Sequence, residues 1–78
     1  MNELDQDTLP VITLKKGREK PVRTGHPWIF SGSIGQVQGK TVPGCLCKVQ
    51  EAGGTVLGYG YYNNNSAISI RMLSNARS

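Results

Sequence analysis

The chain has 78 residues, 37% of them hydrophobic, with ten glycines, four prolines and a formal net charge of +4. That length allows one domain with a small core, or a fragment of something longer, and the glycine and proline content suits strands and tight turns and excludes a helical bundle. No run approaches the ~20 consecutive apolar residues of a membrane span, and Glu3, Asp5 and Asp7 stand where a signal peptide needs basic side chains, so the reading is a cytoplasmic protein with no membrane partner.

Met1 to Leu9 is polar and acidic without periodicity, and reads as a mobile tail. Without its three acids the remainder carries nine basic residues against two acidic ones. Five of the nine fall between Lys15 and Arg23, opposed only by Glu19. A positive field so concentrated attracts polyanions, and the alternative is a solvated face that only keeps the domain soluble.

Pro10 to Leu14 is short, β-branched and bordered by proline, which predicts a first strand at a sheet edge. Lys15-Lys16-Gly17 then turns the chain, where Gly17 can take a positive φ and the lysines can reach a phosphate. Arg18 to Thr24 reads as a short helix, with Pro21 tolerated in its first turn and Gly25 as its stop. Arg18, Lys20 and Arg23 cannot all share the face of Val22, so the basic side chains are expected to point outward.

Gly25-His26-Pro27-Trp28-Ile29-Phe30-Ser31-Gly32 holds the only histidine, tryptophan and phenylalanine. Pro27 pushes His26 out of the α region and ends the helix. Phe30 is expected in the core, and so is Trp28, with stacking on an unpaired base as its alternative role. His26 is expected to be a hydrogen-bonded structural residue that can also touch phosphate, with no proton-transfer role.

A strand through Ile34 to Val37 closes at Gly39, and Val42-Pro43-Gly44 is a turn. Cys45 to Glu51 alternates, with Cys45, Cys47 and Val49 on one face. Two cysteines at i and i+2 on a strand disfavour a disulfide, and with one histidine they fall short of a zinc site, so they read as small buried hydrophobes. After a turn at Ala52-Gly53-Gly54, Thr55 to Tyr62 is the longest strand candidate. Strict alternation puts Gly58 and Gly60 on one face and Leu57, Tyr59 and Tyr61 on the other, and paired glycines mark a bend or a close backbone approach. Asn63 to Ser66 turns again. Ile68, Ile70 and Met72 form the inward face of a last strand, with Arg71 pointing away, its planar fork suited to a phosphate. The fold class is mainly β with one or two short helices, a small partly closed barrel of five to six strands.

Leu14-Lys-Lys-Gly-Arg-Glu-Lys20, then Gly25 to Gly32, then Leu57-Gly-Tyr-Gly-Tyr-Tyr-Asn63 with Ser66, Ile68 and Arg71, resembles a known domain. It is similar to the N-terminal PUA-like domain of the class I S-adenosylmethionine-dependent methyltransferases that act on cytosine C5 of large-subunit rRNA. The resemblance implies a PUA-like pseudo-barrel over residues 10–74, with residues 75–78 leading to a catalytic domain beyond this chain. It also implies an RNA-binding module that positions rRNA, with Lys15, Lys16, Gly17, Arg18, Lys20, Arg23 and Arg71 at the RNA, joined by His26. No glycine-rich cofactor loop and no Pro-Cys nucleophile segment occurs in these residues, so the fragment itself is expected to be no enzyme and to hold no cofactor. S-adenosylmethionine is expected for the parent. The rival expectation is a docking or dimerisation module, with the parent's catalytic domain or a second copy as partner and an exposed apolar patch around Leu57, Tyr59 and Tyr61.

Overall fold

The computed structural model describes residues 9–63 and 65–75, so the expected acidic tail lies, but for Leu9, outside the described residues. The chain folds as β1 (Val11–Leu14), α1 (Lys20–Arg23), β2 (Trp28–Phe30), a 3-10 turn (Ser31–Ser33), β3 (Ile34–Gln38), β4 (Cys45–Gln50), β5 (Val56–Tyr62) and β6 (Ile68–Asn75). All six strands join one sheet in the order β2-β6-β5-β4-β1-β3, antiparallel throughout except for the parallel β1/β4 pair.

The connection between β2 and β3 forces that sheet to curl. The two are its opposite edges, and laid flat they would stand ~24 Å apart, five gaps of about 4.8 Å each. Only the 3-10 turn joins them, and at ~2 Å of rise per residue it spans far less. The edges must therefore approach, giving a half-barrel. Two backbone hydrogen bonds clasp the turn: Lys15 N–H donates to Ser33 O at 2.8 Å and Ser31 N–H donates to Ala67 O at 2.9 Å.

The barrel interior takes the inward residues of every strand, β3 contributing only the partly buried Ile34. Ile12, Leu14, Cys47, Val49 and Ile70 are at most 1% exposed, and Val22, Ile29, Leu57 and Tyr62 complete the core. Gly60 shows why one strand needed glycine. A Cβ there would stand 2.5 Å from Arg71 O and 2.9 Å from Ile70 Cγ2, so β5 and β6 close only over a residue without a side chain.

Four expectations change. β1 is an interior strand, not an edge: Pro10 lies just before the ladder, where its missing N–H is not needed, and its carbonyl accepts from Lys48 N–H at 2.9 Å. The helix is a single turn rather than Arg18 to Thr24: Arg18 belongs to the preceding turn, its N–H donating to Lys15 O at 3.0 Å. Leu57 is buried instead of sharing a face with Tyr61. Val49 lies opposite Gly58 and Gln50 opposite Val56, so Leu57 is an inserted bulge residue and breaks the period of two. Trp28 and Phe30 are 43% and 49% exposed, since Ile29 is the residue of β2 that faces the core. Other expectations hold: Cys45 and Cys47 are unpaired with Cys47 fully buried, Gly17 takes φ +86°, and the sheet has six strands.

Candidate nucleic-acid interface

The ends of α1 are fixed by local rules, and they place the basic side chains. Pro21 sits in the first turn, where no backbone donor is required. At the other end Gly25 takes φ +97° and donates to Val22 O at 3.0 Å, while His26 N–H reaches Pro21 O at 2.9 Å. This pair of bonds is a Schellman stop, and it turns the chain sharply into Pro27 and β2. Val22 points into the core, leaving Lys20 and Arg23 outside.

Lys15, Lys16, Gly17 and Arg18 form the turn ahead of the helix, all exposed. A Cβ on Gly17 would meet nothing within 4 Å, so a ligand can approach its backbone freely. The Lys15 stem lies along β3, its Cγ 3.4 Å from where a Cβ on Gly35 would be. Arg23 is different: its guanidinium is paired with Glu51 at the end of β4, so it reaches a phosphate only in competition with that carboxylate.

Between α1 and β2 lies a concavity of about 170 Å³ lined by Arg18, Pro21, Val22, His26, Trp28, Ile29, Phe30 and Ser33. Two cations or potential cations, Arg18 and His26, therefore border the same hollow as two half-exposed aromatic rings. His26 Nδ1 lies 3.2 Å from both the backbone nitrogen and the backbone carbonyl oxygen of Trp28, so the ring is held against the start of β2 and leaves Nε2 free of this contact. The His26 ring meets Trp28 edge-on, centroids 6.3 Å apart. Arg71, directly opposite Trp28 on β6, holds its guanidinium 5.9 Å from the indole centroid, a cation–π arrangement.

Arg18, His26, Trp28 and Arg71 are thus one contiguous group. Lys15 and Lys16 adjoin it through the turn, Lys20 stands on the exposed side of the helix, and Arg23 is tied to Glu51. Sequence reasoning favoured the core for both aromatics and gave Trp28 an exposed stacking role only as its alternative, whereas both rings border this group. The usable signal was the Trp-Ile-Phe triplet, in which the middle residue faces opposite to the two rings on a strand, so that either Ile29 or both rings must face outward.

A family model described as a PUA-like domain matches residues 12–75. The chain belongs to that family. Among curated proteins this PUA-like domain is 41% identical over 61 residues to a protein of Serratia proteamaculans named Ribosomal RNA large subunit methyltransferase I, a match covering 78% of this chain and 15% of the relative. It is 35% identical over 72 residues to the protein of the same name from Salmonella arizonae, covering 92% of this chain and 18% of that one. The PUA-like domain therefore spans less than a fifth of the length of these relatives. Among solved structures, a conserved PUA domain protein from Thermoplasma acidophilum superposes with a TM-score of 0.71 at 14% identity, over 87% of this chain and 50% of the other. That likeness concerns the fold alone. Among the described residues no helix is long and apolar enough to cross a membrane.

Proposed function

We propose that the domain binds RNA through Lys15, Lys16, Gly17, Arg18, Lys20, Arg23, His26 and Arg71, and so positions large-subunit rRNA for a methyltransferase domain elsewhere in the same protein. The observation that carries this reading is the group around Trp28, where Arg18, His26 and Arg71 border exposed rings and, among the described residues, no acidic side chain lines the hollow. Phosphate contacts from the Lys15–Arg18 turn and Arg71 supply affinity, and the rings meet bases that are not already stacked. S-adenosylmethionine is the methyl donor this reading assigns to the remainder of the protein, and the cytoplasm is its setting. The names of the relatives support the large-subunit rRNA target and the methyl transfer.

Titration of a fluorescent large-subunit rRNA fragment at two salt concentrations tests it. Binding at low salt should weaken steeply as salt rises, and Arg18→Glu should reduce affinity about tenfold or more without lowering the melting temperature. No binding at low salt, or binding indifferent to salt, overturns it.

A docking module is the second reading, favoured by one observation: Leu46, Leu73, Trp28 and Phe30 all expose more than a third of their surface. Leu57 does not contribute to such a patch. Concentration-dependent sedimentation of the chain is its test.

A further inference from the structure

On the outer face of the sheet, cross-strand pairing lines up Trp28 on β2, Arg71 on β6, Tyr61 on β5 and Leu46 on β4. Arg71 stands between the two rings. On one side it covers Trp28, and on the other it lines a second concavity, of about 350 Å³, together with Tyr61, Gly44, Asn63, Ser66, Ile68 and Ser69. This hollow is about twice the volume of the one beside α1 and falls in the range of small-molecule sites, about 300–1,000 Å³.

We propose that this second concavity seats one unpaired nucleobase of a bound strand, stacked on Tyr61, with Arg71 on an adjoining phosphate. The inference rests on the RNA-binding reading and deepens it: the preferred ligand is single-stranded or looped RNA rather than a continuous duplex, whose bases are stacked away from any such seat. Tyr61 is 48% exposed, while its neighbour Tyr62 is buried at 8%, so a large ring stands in water with a hollow beside it.

The rim supplies donors. Asn63 Oδ1 accepts from Asn65 N–H at 3.0 Å, which turns the amide so that its NH₂ is the group left to donate. Ser66 Oγ accepts from Ile68 N–H at 3.2 Å, leaving its O–H to donate. A rim of donors suits the carbonyl and ring-nitrogen acceptors of a base edge. Among the described residues no Asp or Glu lines the hollow to repel a phosphate, and the cation–π contact with Trp28 holds the Arg71 guanidinium beside it.

The experiment compares the chain with its Tyr61→Ala and Tyr61→Phe variants, measuring anisotropy of a labelled single-stranded rRNA oligomer and of a blunt RNA duplex of equal length. Loss of one base stack should weaken single-strand binding by about 5- to 150-fold in Tyr61→Ala. Tyr61→Phe should bind like the parent, and duplex binding should be unchanged in both. Equal weakening of single strand and duplex, or no effect of Tyr61→Ala on either, overturns the base seat and leaves RNA binding standing; no effect would also point to a protein surface as the true occupant of this face. If the unmodified chain binds neither RNA, the parent reading fails and the seat falls with it.

Discussion

Tyr61 and Tyr62 are adjacent, chemically identical and on the same strand, yet one is 48% exposed and the other 8%. Tyr62 lies opposite Cys45 and Ile70 and belongs to the core, whereas Tyr61 lies opposite Leu46 and Arg71 on the outer face. The same division runs along β2 and β6, where Ile29 pairs with Ile70 inside and Trp28 with Arg71 outside. In a domain this small the sheet's inner face is already committed to holding the fold. Aromatic area on the outer face is therefore available for recognition, and the Arg71 guanidinium between Trp28 and Tyr61 suits it to an anionic partner.

The sharpest way to break this division is to truncate each tyrosine in turn. Tyr62→Ala should cost about 3–5 kcal/mol, as removal of a large buried ring does, and at about 4–8 °C per kcal/mol it should lower the melting temperature by more than 10 °C. Tyr61→Ala should stay within about 1 kcal/mol of the parent in thermal unfolding, its effect appearing only in RNA binding. Comparable destabilisation by both would mean that the outer face also carries the fold.

A weaker test concerns the core next to that boundary. Burial pushes the Cys47 thiol up to about 12 from 9.0, helped by repulsion from Cys45 and opposed by a hydrogen bond with the Gly60 backbone. The thiol is thus neutral in the native state at pH values where the unfolded chain already ionises. Its contribution to stability is complete below pH 9.0 and is lost as pH rises toward 12. Urea unfolding at pH of about 8 and about 10.5 should show a larger loss of stability in the parent than in Cys47→Ala. Parallel losses would mean that the site is open to water.

How far these two faces could be foreseen depended on whether local periodicity survived. The turns were legible because proline and glycine dictate them: Gly44 with φ +81° follows Pro43, and Gly25 ends the helix as its position implied. The β4 alternation was legible for the same reason, with Cys47 and Val49 inside. Leu57 was not, since a one-residue bulge opposite Val49 and Gln50 inverts the facing of everything before it and leaves no mark in composition. The interior position of β1 was equally hidden, because strand order is set by long-range pairing and a proline just outside the ladder resembles one at an edge. The basic turn was visible as a charge run, but its partnership with Trp28 and Arg71 depended on the β2/β6 pairing, between residues far apart in sequence.

Arg23 gives the smallest effect and the most specific one. It lies in the basic run, but its guanidinium is held by Glu51, so the run does not act as a uniform field. The Arg23 side chain is 52% exposed, so the pair should add no more than about 1 kcal/mol to stability, and Glu51→Gln should leave thermal unfolding nearly unchanged. Removing the carboxylate also releases the cation. If α1 faces the RNA backbone, Glu51→Gln should bind RNA more tightly, with the slope of log affinity against log salt steeper by about 0.7, the value for one more phosphate contact on a single strand. An unchanged slope would mean that Arg23 lies outside the path of the strand, confining the interface to the Lys15–Arg18 turn and the Trp28–Arg71 pair.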